Sequence, residues 1–318
     1  MVVSLGEALI DFIYAEQEGI PSFRPAPGGS PFNTAVALQR LDVPTAFVSR
    51  LSRDMFGSML KEHLETNGVD TSALLLSDHP STLAFAKIID KKAEYAFFTN
   101  GSADRSITAA DIDRAVGSLP EPPKCIQIGS ISLALEPGAS GIHEYILNRK
   151  PGIAVSLDPN IRPSMIADRE SYLLRLEELF ASADIVKISD EDLAWIYPSS
   201  DIRRGAEDIL KAGAAACIVT HGIEGSYWFS PYTEAFAPTH PVKVVDTIGA
   251  GDTFHAGLIA YLYREGLLER KKLAAVSEHQ AQLALTFATH AAEGTCQRQG
   301  ADPPRLEQVL RLMESEGY

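Results

Sequence analysis

Between Ala109 and Ile188 short apolar runs alternate with longer amphipathic ones, and few folds accommodate that order. Cys125 to Ile131, Ile153 to Leu157 and Ile185 to Ile188 are too short for helices and too continuously apolar for strands with one wet face. A helical pattern beginning at Ala109, then Gly141 to Arg149 and Glu170 to Ser182, space them at helical periodicity. Strand, helix, strand in this order implies a parallel sheet covered on both faces. Ligands of such sheets lie beyond the carboxyl ends of the strands, which puts Gly129 to Ser132, Asp158 to Arg162 and Lys187 to Ser189 on one rim. With 318 residues, 45% of them hydrophobic, the chain can bury a large core as one α/β domain, with or without an appendage.

Upstream of this stretch, Met1 to Ile13 reads as a buried strand interrupted by Glu7 and Asp11. A carboxylate at a strand end is either a ligand or the acceptor for a loop N–H, and Asp11 admits both readings. Gly19 to Pro31, rich in proline and glycine, is irregular or a short edge strand. It runs into Gly28-Gly29-Ser30-Pro31-Phe32-Asn33 and a helix over Thr34 to Leu41. Adjacent glycines expose backbone amides, and Asn33 can donate to and accept from a polyol or can cap the helix. Val43 to Leu51 follows as a strand and Gly57 to Asn67 as a helix closed by Gly68. Leu83 to Ile89 and Tyr95 to Phe98 make a hairpin across the polar residues 90–94. Arg105, just beyond, can reach a substrate or pair on the surface. Ala215 to Thr220 is a further buried strand, opening into Thr220, Gly222 and Gly225; Lys272 to His290 is a late helix.

Near the C-terminal end, Asp246-Thr247-Ile248-Gly249-Ala250-Gly251-Asp252-Thr253-Phe254 joins a β-branched run, Val242 to Val245, to a helix over Ala250 to Arg264. The first N–H groups of a helix lack intrahelical partners and carry its positive end, and two glycines let an anion come close. That suits a phosphate. Asp252 would repel the phosphate unless it had chemistry to do, such as accepting a proton from a hydroxyl that attacks phosphorus. The plainer alternative is a turn with a capping aspartate.

These nine residues match, at every fixed position, the pattern Asp-Thr-x-Gly-Ala-Gly-Asp-x-Phe, and the chain resembles the ribokinase-like (PfkB) carbohydrate kinases. Gly28-Gly29-x-x-x-Asn33-x-Ala35 resembles that family's N-terminal signature, with Asp11 ahead of it in the right order. The resemblance implies a Rossmann-type three-layer α/β sandwich with a mainly parallel central sheet. A small β-sheet lid, from roughly residues 12–26 and 82–100, would close over the sugar. It implies Asp252 as catalytic base and the amides of Gly249, Ala250 and Gly251 as an anion hole. Asp11, Gly28, Gly29 and Asn33 would bind sugar. So would Arg105, in a segment resembling bacterial fructokinases, and Asn160 and Arg162, in Asp158-x-Asn160-x-Arg162. Nucleotide contacts fall on Lys187, Thr220, Gly222, Gly225, Thr247, Gly249, Gly251 and Cys296. The magnesium motif departs from the family, since Ser189-Asp190-Glu191-Asp192 stands for Asn-x-x-Glu, leaving Asp192 or its neighbour Glu191 for the ion. The tail Gly294 to Ala301 resembles the fructokinase Cys-x-Arg-x-Gly-Ala segment, implying a monovalent cation, potassium, near Asp246, Ile248, Thr295, Arg298 and Gly300. ATP, Mg²⁺ and a small sugar are the implied partners, with fructose favoured by Gly129-Ser130-Ile131-Ser132-Leu133, where ribokinase proper carries a substrate-binding glutamate.

Other readings are constrained by what the chain lacks. A formal net charge of −14 disfavours nucleic acid and anionic membranes. No Gly-x-Gly-x-x-Gly follows the first strand and no Walker A motif occurs, which removes dinucleotide oxidoreductases and P-loop kinases. Cys125, Cys217 and Cys296 are odd in number and far apart, so they read as buried residues in a reducing compartment. No basic leader opens the sequence and no apolar run reaches membrane length, so a cytoplasmic protein is expected. Remaining alternatives are a 2-keto-3-deoxygluconate kinase, a nucleoside or riboside kinase with Phe97 and Phe98 about the base, and a sugar-binding protein without catalysis. A homodimer paired through the exposed lid is expected from its free edges.

Overall fold

A computed structural model describes residues 1–17, 20–89 and 92–317. The first half of the chain runs β1 (Val2–Leu5), β2 (Leu9–Gln17), β3 (Ile20–Gly28), α1 (Ser30–Arg40), β4 (Thr45–Val48), β5 (Arg50–Ser52), α2 (Met55–Thr66), β6 (Leu75–Ser77), β7 (Thr82–Ile89), β8 (Lys92–Phe98), α3 (Ala109–Gly117), β9 (Cys125–Gly129), α4 (Gly138–Asn148) and β10 (Ala154–Asp158). The second half adds α5 (Arg169–Ser182), β11 (Ile185–Ser189), α6 (Asp190–Ile196), α7 (Ile202–Ala212), β12 (Ala216–His221), β13 (Gly225–Ser230), β14 (Thr233–Ala237), α8 (Ala250–Arg264), α9 (Arg270–Ala274), α10 (Glu278–Cys296) and α11 (Leu306–Ser315).

The alternating stretch becomes the middle of an eight-stranded sheet, ordered β14-β13-β12-β11-β10-β9-β1-β4. The strands from β12 to β4 pair parallel, while β13 and β14 add antiparallel at one edge. Successive side chains point to opposite faces of a strand, and the core divides accordingly. Val3, Leu5, Ile126, Ile128, Val155 and Leu157 pack under α3, α4, α5 and α7. Val2, Cys125, Ala154, Ile185 and Ile218 pack under α1, α8 and α10. The result is three layers. Each Val, Leu or Ile fully buried this way contributes roughly 1.5–3 kcal/mol. A second sheet of four strands, β3-β2-β7-β8, stands beside the large one.

Six local expectations need correction. Val43 to Leu51 is not one strand but two, β4 in the large sheet and β5 paired with β6. Met1 to Ile13 is two strands in two sheets, because the chain turns out of the large sheet at Gly6–Ala8, where Glu7 accepts from the amides of Ser30 and Ser132. The run Cys125 to Ile131 leaves the sheet at Gly129 and enters a short 3-10 turn. Val242 to Val245 is not a strand. The amides of Val245 and Asp246 bond to Cys296 O at the end of α10 rather than to a neighbouring strand, and Val244 and Val245 are exposed. Lys272 to His290 is broken at Ser277, whose side chain caps α10 in a capping box with Gln280. Lys92 to Glu94 lie in β8 rather than in the connection, of which Asp90 and Lys91 fall outside the described residues. The proline-rich stretch is a nine-residue edge strand, β3. Pro21, Pro25 and Pro27 share one parity, so their missing N–H groups fall on the side with no neighbour.

Candidate active site

The Gly249-Ala250-Gly251 turn is built at the start of α8. Gly249 adopts φ 76°, a left-handed conformation open to glycine, and a Cβ there would lie 2.7 Å from Ala301 Cβ. Ala250 N bonds back to Thr247 O, while the amides of Gly249, Gly251 and Asp252 meet no acceptor among the described residues. These are the unpaired donors of a helix N-terminus, aimed where charge is favoured.

Asp252 occupies the first turn of that helix, 7% exposed. Ser30 Oγ donates to its Oδ1 at 2.6 Å and Asn33 Nδ2 to its Oδ2 at 2.9 Å; Asn160 Nδ2 approaches Oδ1 at 3.5 Å. Asn160 is held in turn by Arg162, whose Nη1 donates to Asn160 Oδ1 at 2.7 Å. Burial raises the Asp252 pKa, and the Ser30 and Asn33 hydrogen bonds oppose that rise. Beneath the turn Lys187 Nζ bonds Asp158 Oδ2 at 2.9 Å, and a Cβ on Gly251 would lie 3.4 Å from the same Nζ.

Two hollows meet at this turn. A polar cavity of about 270 Å³ is lined by Glu7, Asp11, Asn33, Asn160, Arg162 and Asp252 among others. A more apolar cleft of about 810 Å³ opens on the other side, between Thr220, Gly222, Gly225 and Ser226 and the α10 residues Thr289, Ala292 and Cys296. Thr247 and Gly251 line both.

The pfkB family carbohydrate kinase model matches residues 1–308. The chain belongs to this family of carbohydrate kinases. Among the relatives of this kinase, a fructokinase of Rhizobium leguminosarum bv. trifolii is 40% identical over 280 residues, 87% of this chain and 84% of that one. A fructokinase of Xylella fastidiosa solved with bound ATP superposes with a TM-score of 0.89 at 25% identity, covering 100% of this chain and 99% of the other. A double mutant of the Vibrio cholerae O395 fructokinase, bound to fructose, ADP and potassium ion, superposes at 0.82 and 26% identity, with 94% and 93% coverage. The fold is accordingly ribokinase-like α/β, and among the described residues no helix is long and apolar enough to cross a membrane.

Within this carbohydrate kinase the residues singled out by sequence are distributed unevenly. Asp11, Gly29, Asn33, Asn160, Arg162, Thr247, Ile248, Gly249, Gly251 and Asp252 line the polar cavity. Gly28 sits behind them, where a Cβ would come within 2.3 Å of Asp11 Oδ2. Arg105 stands apart from both hollows, its guanidinium donating to the carbonyls of Glu136 and Thr99. Thr220, Gly222, Gly225, Ala250 and Cys296 line the cleft, so Cys296 is not the buried core residue that Cys125 and Cys217 are. Lys187 is buried on Asp158 instead of facing the cleft. Glu191 lines the cleft, whereas Asp192 Oδ2 accepts from Ile161 N at 3.1 Å. Ser189, in the place of the family asparagine, caps α6 by accepting from Asp192 N. Asp246 ties Ile248 N and Gly300 N to its two carboxylate oxygens. Thr295 is buried against Thr253, and Arg298 turns to Asp302 and Gln308. Phe97 lines the polar cavity; Phe98 is exposed.

Sequence reasoning missed Ser30, Asp158 and Glu7 as site residues. Glu7 was visible only as a carboxylate inside an apolar strand. It is buried at the cavity edge, and burial pushes its pKa up to about 7 from 4.5. Asp11 and Asp192 rise to about 6 from 3.8, again chiefly by burial. Raised folded pKa values mean that the folded state binds protons more tightly than the unfolded chain. The stability they supply is present below the unfolded values and lost as pH rises through the folded ones. The urea midpoint is therefore expected to fall between about pH 5 and about pH 8, and Glu7→Gln to flatten the upper part of that slope. A mutant with the wild-type slope would remove Glu7 from this account.

Proposed function

We propose that this kinase transfers the γ-phosphoryl group of ATP to a primary hydroxyl of fructose. The reading rests on the shared wall: one turn carries unpaired amides toward both a polar cavity and an apolar cleft, with Asp252 at its inner end. The sugar would occupy the polar cavity, near Asp11, Gly28, Gly29, Asn33, Asn160 and Arg162. Asp252, held by Ser30 and Asn33, accepts the hydroxyl proton as that oxygen attacks phosphorus, and the Gly249 and Gly251 amides face the charge that grows on the transferred group, the Ala250 amide of the expected anion hole being taken up by Thr247 O.

The cleft suits a nucleoside. Ser226 Oγ and Thr289 Oγ1 are buried on its walls without partners among the described residues, and Thr220, Gly222, Gly225, Thr247 and Cys296 also line it. Magnesium, when bound with ATP, supplies charge against the phosphate oxygens; Glu191 would hold it rather than Asp192, whose carboxylate already accepts from Ile161 N. Potassium would sit where Asp246 draws Ile248 and Gly300 together, away from the side chains of Thr295 and Arg298. Lys187 acts from below, through Asp158 and the field at Asp252.

Arg162 is the one cation among the described residues lining the polar cavity, against three carboxylates, Glu7, Asp11 and Asp252. A neutral polyol fits that balance better than a sugar acid. The small sheet, β3-β2-β7-β8, begins at Leu9 and runs to Gly28 in its first two strands, wider than the expected 12–26, and it would serve as a lid that keeps water from the phosphoryl group. Its exposed Ile20, Phe23 and Phe98 favour a homodimer through that sheet. Phe23→Ser is expected to sediment as a monomer where the unaltered chain sediments as a dimer; a dimer in both would exclude this surface. Asn33→Ala is expected to raise KM and Kd for sugar several-fold to about tenfold, through the loss of a hydrogen bond to a sugar hydroxyl. Unchanged values would leave Asn33 a structural residue. The function itself is tested by ADP release with MgATP against fructose, ribose, 2-keto-3-deoxygluconate, glucose and adenosine. Preference for fructose is expected; turnover of another member would replace the substrate, and no turnover with any would overturn the fructose reading in favour of an untested substrate or a sugar-binding protein without catalysis.

A further inference from the structure

Away from the phosphate turn, His240, His290 and Glu293 meet where the segment after β14 passes α10. His290 and Glu293 are three residues apart on that helix and so share a face; both are buried. One ring nitrogen of His240, one of His290 and a Glu293 carboxylate oxygen all lie within 4.8 Å of one another. Glu293 Oε1 is 3.1 Å from His240 Nδ1, and Oε2 is 3.1 Å from His290 Nδ1. The two imidazoles stack with centroids 4.8 Å apart and planes 24° from parallel. On their far edges Glu316 Oε2 lies 3.2 Å from His290 Nε2 and Oε1 lies 3.4 Å from His240 Nε2. Each ring is thus clamped between two carboxylates.

Protons alone satisfy this arrangement at a cost. A neutral imidazole has one N–H, so it would present a lone pair to one of its two carboxylates. Filling every contact requires both rings to be imidazolium, two like charges stacked face to face. A divalent cation between the Nδ1 atoms and Glu293 replaces those two protons at equal charge. Both Nε2–H groups then donate to Glu316, the outer carboxylate that commonly orients a metal-bound histidine.

We propose that His240, His290 and Glu293 form a site for a divalent transition metal of the zinc class, oriented by Glu316. Two imidazoles and one carboxylate suit zinc and its borderline neighbours, whereas magnesium and calcium take oxygen ligands. The site is separate from the magnesium that accompanies the nucleotide, although His240 and Glu293 also line the nucleotide cleft. Zinc bound here would fix that wall and tie the end of α11 to α10.

The test is calorimetric titration of the metal-stripped full chain with Zn²⁺, paired with absorption spectra of the Co²⁺ form. The expected result is one equivalent of Zn²⁺ per chain, a higher melting temperature on binding, and a Co²⁺ spectrum without thiolate charge transfer. His240→Ala, at a half-buried position, is expected to abolish the stoichiometric binding. Glu316→Gln should keep the stoichiometry and lower the affinity about 10–100-fold. Absence of saturable binding in the unaltered chain would overturn the proposal. So would binding unchanged in His240→Ala, or a thiolate band, which would place the ion on a cysteine.

Discussion

Replacing Asp252 by Asn is expected to lower kcat by about 10²–10⁴-fold while leaving the dissociation constants for sugar and nucleotide close to their original values. The substitution keeps the size of the side chain and one carbonyl acceptor for Ser30 or Asn33, so the cavity should keep its shape. What is lost is the ability to take a proton from the attacking hydroxyl. Because burial raises the Asp252 pKa, the unaltered enzyme should also lose kcat/KM as pH falls through that raised value, the base being protonated on the acid side. Ser30→Ala removes a hydrogen bond that favours the ionised form, so it should move that acid limb toward higher pH. Steady-state kinetics over pH together with calorimetric binding separate these effects. A Asp252→Asn enzyme within tenfold of the original kcat would remove the carboxylate from the chemistry.

Lys187→Met is expected to destabilise the folded chain by about 3–5 kcal/mol. Lys187 and Asp158 are 4% and 1% exposed, and Asp158 Oδ1 already has no partner among the described residues. Removing the ammonium leaves a carboxylate in the middle of the sheet with nothing to offset its desolvation. The double substitution Lys187→Met, Asp158→Asn takes away both charges and should recover much of the loss. Urea unfolding of the four proteins in this cycle measures the coupling directly. A single-mutant loss below about 1 kcal/mol would mean that water reaches the pair, contrary to its burial.

The parallel sheet was legible because both its faces are covered, and a strand buried on both sides is apolar at most positions; its polar exceptions, such as Ser4, Gln127 and Ser156, are buried on hydrogen-bond partners. The edge strands β13 and β14 and the short helix α6 were not read, since their side chains change environment over too few residues to set a period, whereas α7 is long enough but buries only Gly205, Ala206 and Ile209, two of them too small to mark an apolar face. The break inside Met1 to Ile13 carried a signal, Glu7, but only the fold supplies the Ser30 and Ser132 amides that explain it. Val242 to Val245 misled because β-branched residues favour strands only where a neighbouring strand is available, and here the partner is the end of a helix.

The same division runs through the site. Sequence alone determined the local devices: a left-handed glycine at 249, free amides at a helix start, and Asp252 one turn inside, because these depend on bonds between residues within a few positions of each other. The tertiary structure decided which groups face one another across the chain. Ser30 and Asn33 reach Asp252 from α1, more than two hundred residues away, Lys187 is spent on Asp158, Arg105 is held on the carbonyls of Glu136 and Thr99, and two histidines and two glutamates close on each other beside the cleft. No periodicity encodes such distances, since they follow from how the sheet and its helical layers pack.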